Sequence, residues 1–388
     1  MKKALIVSTI FGFIASFERS DVRILQEMGY EVHCACDSVD YTRTWKTDDL
    51  LQTGIIVHNI PFTRNPISES NRRAYRELKQ LMEREKFDLV HCHTPVGGAL
   101  GRMAARKCGV PAVLYTAHGF HFYKGAPIRN KLLYYPVEKT LARFTDILIT
   151  INGEDYETAR KKLRARRTER IHGVGIDIGR FVKNPEARER LRTAFGIRDG
   201  ETALISVGVL DGNKNHRAVL EAMKTLAPEG YRYLIVGKGE LKEEYDAFIR
   251  ENGLENAVTL AGYRQDIPEI LQAADMCVYP SLREGLPVGL MEAVASRLPV
   301  ACSRVRGNVD VVVTEESYFD PRDPASVTAA IRRIGRMAED RKAALTEKNY
   351  RNLLAYDMTE VRKEMTAIYR EADRLTRGVR SENRTRGK

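Results

Sequence analysis

The chain has few cysteines for its size and no long apolar run, and these two lacks exclude several protein classes at once. Six cysteines (Cys34, Cys36, Cys92, Cys108, Cys277, Cys302) are scattered through 388 residues, far from the density of a disulfide-held fold. That usage fits a reducing cytoplasm. CxxC pairs and an HExxH spacing are missing as well, so Cys34, Cys36, His91 and His93 read as residues that end strands, not as a metal site. No metal and no cofactor is expected. No stretch nears the roughly 18 uninterrupted apolar residues of a membrane span. Lys2 and Lys3 followed by ALIVSTIFGFIA start like a signal peptide. Gly12 interrupts that run, however, Glu18 and Arg19 follow it, and a small-residue cleavage site is missing. A buried first strand is expected instead, in a cytoplasmic protein whose membrane contact, if any, is peripheral. Interleaved aromatic and basic residues are also lacking, which argues against nucleic acid as a partner.

What is present is a globular composition, 43% hydrophobic and 30% charged, on a chain long enough for two domains with their own cores. Lys and Arg outnumber Asp and Glu by 63 to 52, a net charge of +11. Such a surface attracts polyanions, anionic lipid head groups or phosphorylated ligands without choosing among them. The densest basic run, RKKLRARRTER from Arg160 to Arg170, reads equally as one solvated helix face or as a contact with an anionic membrane. The basic tail from Arg377 to Lys388 is expected to fray.

Short apolar runs alternate with amphipathic stretches in both halves, the pattern of parallel sheets covered by helices. The first half offers ALIVS, EVHCAC, DLVHCH, AVLYTAH and DILITI; the second offers ALISVGV, YLIVG, VTLAG, MCVYPS and VACS. Two doubly wound Rossmann-like domains follow, joined through HGVGIDIGRF (172–181). The expected division is one Rossmann-like domain over 1–172, a second over 173–357, and a C-terminal helix and basic tail over 358–388, with the option that this helix packs back on the first domain. Ligands of such sheets bind beyond the carboxyl ends of the strands. Motifs that follow strands therefore carry most weight.

In YPSLREGLPVGLMEAVA (279–295) a strand turns through Glu284 and Gly285 and enters a helix at Pro287, which suits a first helical turn. Val288 and Gly289 then offer unpaired amides to an anion, and Gly289 lets it approach the backbone. Glu284 stands just outside that start. Glu292, five residues past Pro287, lies about 7.5 Å further along the axis. Carboxylates on either side of a phosphate site can accept from sugar and ribose hydroxyls. The same two glutamates could also be a surface turn and an exposed helix residue.

In VGVLDGNKNHRAVLEA (207–222) a strand ends at Gly208 and a helix begins near Asn215. Lys214 is thereby a point charge for a diphosphate, or an exposed lysine. Gly12, after the first strand, could bring amides toward the same phosphates, or only make a turn. His118 closes AVLYTAH at a sheet rim, where an imidazole could hydrogen-bond a reacting sugar or sit in the core. IVGKGELKEEY (235–245) has Lys242 where a dinucleotide fingerprint needs its third glycine, and is a weak nucleotide signal. Arg306, Gly307 and Asn308 line a sugar pocket or form a plain turn.

The segment 279–295 resembles the two-glutamate signature of retaining glycosyltransferases of family 4, which have the GT-B fold of two facing Rossmann-like domains around a cleft. HCHTPVGG (91–98), YTAHGFHFYKGAP (115–127) and YYPVEKTLARFTDILITINGED (134–155) resemble the capsule and exopolysaccharide branch of that family. The resemblance implies that Glu284 contacts donor-sugar hydroxyls, that Glu292 contacts the ribose, and that Gly208 and Lys214 lie at the donor diphosphate. It gives Gly12 a phosphate-facing role and His118 a catalytic one, with His121 and Lys124 shaping the loop beside it. Where the family usually has Arg or Glu after the strand-end glycine, this chain has Val209, which puts more of the diphosphate on Lys214. The expected activity is transfer from a nucleotide diphosphate sugar, with UDP the expected nucleotide, to a glycan hydroxyl. Retention without a metal ion and a polyprenyl-diphosphate-linked acceptor at the inner membrane face are implied with it. A sugar-nucleotide epimerase of the same fold and a non-enzymatic polyanion-binding protein are the alternatives.

Overall fold

Among the described residues, thirteen strands in two parallel sheets account for the alternation read in the sequence. In the computed structural model, which describes residues 1–39 and 45–386, the chain divides into two compact units. One comprises Met1–Gly175 with Thr359–Lys388, the other Ile176–Met358.

The first unit holds β1 (Lys2–Ile10), β2 (Tyr30–Asp37), β3 (Ile56–Asn59), β4 (Leu89–Cys92), β5 (Ala112–Ala117), β6 (Ile147–Thr150) and β7 (Arg167–Arg170). Their order is β3-β2-β1-β4-β5-β6-β7, with Ile6 paired to His91 across β1 and β4. The order reverses between β1 and β4, the switch point where a doubly wound sheet opens a crevice. Cys34 and Cys36 on β2 are separated from His91 by the whole of β1, so the four Cys and His residues weighed as a metal set never assemble.

The second unit repeats the plan with β8 (Thr202–Val207), β9 (Tyr231–Val236), β10 (Val258–Gly262), β11 (Met276–Tyr279), β12 (Val300–Ser303) and β13 (Tyr318–Phe319). Their order, β10-β9-β8-β11-β12-β13, places its switch point between β8 and β11. Alternate side chains of β11 enter different cores: Cys277 and Tyr279 join one, Met276 and Val278 the other. Two-sided burial of this kind explains why these strands read as unbroken apolar runs. The unit closes where the chain enters and leaves it, with the Ile176 amide donating to the Tyr356 carbonyl at 3.0 Å and the Met358 amide to the Ile176 carbonyl at 2.8 Å.

Two expectations need correction. The basic run is not one helix face: Arg160 to Lys162 end the helix Gly153–Lys162, whereas Arg167 to Arg170 form the edge strand β7. Charged side chains there guard an open sheet edge against pairing. The tail continues the helix Met358–Arg386 instead of fraying, and only 387–388 of it lie outside the described residues.

Candidate functional site

At the switch point of the second unit, three of the expected residues, Gly208, Lys214 and Glu284, meet. Gly208 opens the loop between β8 and the helix His216–Leu226. Asn215 caps that helix with φ of 54°, a left-handed conformation that asparagine tolerates better than most. Its side-chain amide donates to the carbonyls of Pro280 and Pro321 at 3.2 and 2.8 Å, pinning the loop to the segment after β11. Lys214 then lays its stem on Gly208, where an added Cβ would lie 3.3–3.4 Å from the stem carbons. The Lys214 Nζ donates to Tyr279 Oη and to Glu284 Oε1, both at 2.7 Å. Glu284 is only 9% exposed, so the pair is largely withdrawn from water. An ammonium has three N–H donors. Two are engaged here, and the third has no partner among the described residues. Burial first, and the Glu284 carboxylate second, hold the Tyr279 phenol well above its ordinary value.

The helix Val288–Ala295 starts beside this pair. Pro287, with φ of −86° and ψ of 106°, is its cap and not its first residue. The Met291 amide makes the first helical bond, to the Pro287 carbonyl at 3.1 Å, so the amides of Val288 and Gly289 precede the ladder. Gly289 has a packing reason too, since a Cβ there would meet the Val207 carbonyl oxygen at 2.9 Å. Glu292, one turn on, is half-buried, and its charge also raises the Tyr279 phenol. The turn that carries Glu284 is held from behind: Arg306 Nε donates to the Glu284 carbonyl at 2.9 Å, and Gly307 sits so close that a Cβ would be 2.7 Å from the Gly285 oxygen. The Arg306 loop therefore grips the Glu284 turn.

In the first unit, Gly12 lies in the helix Phe11–Phe17 directly after β1. A Cβ there would meet nothing within 4 Å, so packing does not require this glycine. The glycines of HCHTPVGG differ. At Gly97 a Cβ would be 3.0 Å from the Ser8 carbonyl carbon and at Gly98 2.6 Å from the Tyr115 ring, so both serve close helix-to-strand approach. Thr94, between β4 and the helix Pro95–Cys108, holds φ of 61° and ψ of 156°, a region nearly reserved for glycine. Its Oγ1 is tied to the Thr9 amide and hydroxyl at 3.1 and 2.8 Å.

His118, just past β5, lines a cavity of about 200 Å³ with Phe13, Thr94, Tyr115, Phe120 and Glu138. Burial pushes its imidazole down to about 4, so the ring is neutral at pH 7 and able to hydrogen-bond without carrying charge. Its Nε2 faces inward, 3.2 Å from His93 Nδ1 and 3.3 Å from Glu18 Oε1. His121 stacks on Tyr134 with ring centroids 4.4 Å apart, and the Lys124 amide donates to Glu154 at 2.6 Å. Tyr279, Glu18 and His93 were not anticipated as site residues. Tyr279 had one signal, its place at the end of a strand two motifs share; Glu18 had none.

Comparison with known proteins now adds to the geometry. Residues 187–351 match the family model described as glycosyl transferases group 1, and residues 12–152 the one described as glycosyl transferase 4-like. EpsD of Bacillus subtilis, named as a glycosyltransferase, is 37% identical over 324 residues, covering 82% of this chain and 83% of its own. The UDP-Gal:alpha-D-GlcNAc-diphosphoundecaprenol alpha-1,3-galactosyltransferase of Escherichia coli is 30% identical over 323 residues, or 81% and 83% of the two chains. HepE of Anabaena, crystallised with UDP and glucose, superposes with a TM-score of 0.77 at 17% identity, over 96% of this chain and 100% of that one. At that identity the superposition speaks for the fold alone.

Proposed function

The chain belongs to the group 1 glycosyltransferases and has the Rossmann-like units of the GT-B fold, and from that premise we propose that it moves a hexose or N-acetylhexosamine from a UDP-sugar to a hydroxyl of a polyprenyl-diphosphate-linked glycan. The glycan would be a capsule or exopolysaccharide precursor, and the anomeric configuration would be retained. Membership sets aside the epimerase and the polyanion-binding protein. The observation that carries the donor assignment is Lys214, oriented by Tyr279 and Glu284 with one N–H to spare, beside the free amides of Val288 and Gly289. A diphosphate can take that third N–H without breaking the pair. The other Glu284 oxygen is left for a sugar hydroxyl; Glu292 would face the ribose, His118 the sugar and Gly12 the phosphates. In the reaction the bond from C1 to the diphosphate oxygen breaks and one from C1 to the acceptor oxygen forms. The departing diphosphate takes the acceptor's proton, and charge stabilisation on that diphosphate is the main contribution of the site. The name of the E. coli transferase supports UDP and a lipid diphosphate.

A panel of UDP-sugars and GDP-sugars tests the donor, because a ligand that binds only the folded form stabilises it by about 2.7 kcal/mol at a hundredfold excess over Kd. UDP-sugars should raise the melting temperature. No shift with any nucleotide sugar would overturn the assignment. Gly12→Ala provides a second check: with open space at its Cβ, alanine in this helix should hold or raise stability by up to about 1 kcal/mol. The same change should weaken UDP-sugar binding in a thermal-shift titration. Unchanged affinity would remove Gly12 from the site.

The lipid-linked acceptor has a surface to suit it. On the helix Ile128–Leu141, Ile128, Leu132, Leu133 and Val137 are exposed, with Arg129, Lys131 and Lys139 exposed beside them. Apolar residues flanked by cations are the pattern of a helix lying on an anionic bilayer. Among the described residues no helix is long and apolar enough to cross one. Co-sedimentation should show binding to vesicles with anionic lipid that falls with added salt, and Leu132→Asp with Leu133→Asp should reduce it at least tenfold. Binding that ignores salt or that pair of substitutions would refute the assignment.

A further inference from the structure

His216 is the first residue of the helix that follows Lys214, and the proposed transfer gives it no part. It is only 2% exposed. Its ring stands edge-on to Tyr245, with centroids 6.2 Å apart. Tyr245 and Tyr233 belong to the core on one side of the second sheet, whereas Tyr279, which receives the Lys214 ammonium, belongs to the core on the other. His216 thus packs on the opposite side of the sheet from Tyr279. An apolar side chain would fill such a place at less cost than an imidazole, unless a ring nitrogen is put to use.

One nitrogen is used, and its partners fix where the protons lie. Ser206 Oγ is 2.5 Å from the Val278 carbonyl, which can only accept, so Ser206 spends its single proton there. Ser206 then accepts from Tyr233 Oη at 2.8 Å. Tyr233, its own proton spent, accepts in turn from His216 Nδ1 at 3.3 Å. The tautomer with the proton on Nδ1 follows from this order. Nε2 makes no hydrogen bond, so the polar hold of the ring on the sheet runs through Nδ1. Burial first, and the Lys214 charge second, push the imidazole down to about 4, and the ring is neutral at pH 7.

The chain of bonds crosses β9, β8 and β11, which are neighbours in the sheet, and it ends on Val278. The next residue is Tyr279, whose hydroxyl receives the Lys214 Nζ at 2.7 Å. Lys214 is therefore hung from two adjacent residues of one strand: its ammonium from Tyr279 directly, and its backbone, two residues before His216, from Val278 through Ser206, Tyr233 and the ring. We propose that His216 is a positioning residue for the donor diphosphate, setting through this buried chain the start of its helix and with it the place where Lys214 presents its third N–H. Misplacing such a group by about 1 Å can cost about a hundredfold in rate. The inference rests on the reading of Lys214 as the diphosphate-binding charge.

The test reads UDP release by the full-length chain, with a UDP-sugar that raises the parent's melting temperature and a polyprenyl-diphosphate hexosamine. His216→Leu should lower kcat by about ten- to a hundredfold, compared at a temperature where both proteins are folded. Tyr233→Phe keeps the ring packing and removes only the hydroxyl. It should reproduce most of the loss, and it carries the test if His216→Leu does not fold. His216→Asn, whose amide nitrogen can stand where Nδ1 stood, should bring kcat back to within about threefold of the parent, because the one donor used is restored. A residue that acts through Lys214 has nothing to act on once Lys214 is gone, so in a Lys214→Ala background His216→Leu should change kcat by less than about threefold. Parent-like kcat in both His216→Leu and Tyr233→Phe, a full loss in the Lys214→Ala background, or His216→Asn as slow as His216→Leu would each overturn the inference. Its failure is separable from that of the donor assignment. A parent chain that no nucleotide sugar stabilises overturns both, whereas a slow Lys214→Ala beside unaffected His216 and Tyr233 variants overturns this one alone.

Discussion

Lys214→Ala should lower kcat by about 10²–10³, the loss seen when one preorganised donor is removed from a site where negative charge develops. The measurement is UDP release from a UDP-sugar that gave a thermal shift, with a synthetic polyprenyl-diphosphate hexosamine as acceptor. Donor affinity should fall as well, because a charge-assisted hydrogen bond is worth about 1.5–3 kcal/mol, or roughly 10–100-fold in Kd. The geometry makes the expectation specific to lysine. Nζ is set by two bonds of 2.7 Å, to Tyr279 and Glu284, and a planar guanidinium cannot meet both while turning a third donor the same way. Lys214→Arg should therefore recover little activity. Lys214→Ala also leaves Glu284 buried without its cation, so its melting temperature must be followed and activity compared where both proteins are folded. A kcat within threefold of the parent would show that the backbone amides at Val288 and Gly289 hold the diphosphate alone.

Tyr279→Phe separates orientation from charge. It removes the hydroxyl that receives Lys214 but leaves the Glu284 bond. Its effect on kcat should be smaller than that of Lys214→Ala, about tenfold or less, since a neutral hydrogen bond contributes about 0.5–1.5 kcal/mol. A loss as large as that of Lys214→Ala would mean that the phenol itself touches the donor.

The contrast between Tyr279 and Glu284 shows where reading from sequence stops. Glu284 could be singled out from sequence because strand, turn and helix start follow one another within a single segment, and the structure keeps that local order. Tyr279 sits in the same segment, yet its hydroxyl matters only because the loop after β8 folds across to meet it. Glu18 is harder still: its neighbours His93 and His118 follow β4 and β5, and only the strand order gathers them. The sheets divide in the same way. The central strands read as apolar runs because both faces are covered. By contrast, β3 and β7 have exposed end residues and only half-buried middle ones, and β13 spans two residues. Such edges carry no apolar run to find.

Gly237→Ala should be among the most destabilising substitutions of a single methyl group in the second unit. Gly237 directly follows β9 with φ of 157°, and a Cβ on it would lie 1.8 Å from the carbonyl oxygen of Gly208, which is backbone and has no rotamer to yield. The alanine must part the ends of β8 and β9, breaking the Gly208 amide bond to the Val236 carbonyl at 2.9 Å. Overpacking of this kind costs about 1–3 kcal/mol and backbone strain adds about 1–3 kcal/mol, so a loss of at least about 3 kcal/mol is expected. In a unit of this size that corresponds to a fall of roughly 6–12 °C in melting temperature by calorimetry. Gly12→Ala, which meets open space, should show no such fall. The two glycines thus differ in cause: one is required by the chain's own packing, the other is not. Equal melting temperatures for Gly237→Ala and the parent would mean that β8 and β9 separate freely at their ends, and that Gly208, and with it the stem of Lys214, is not held where the donor site needs it.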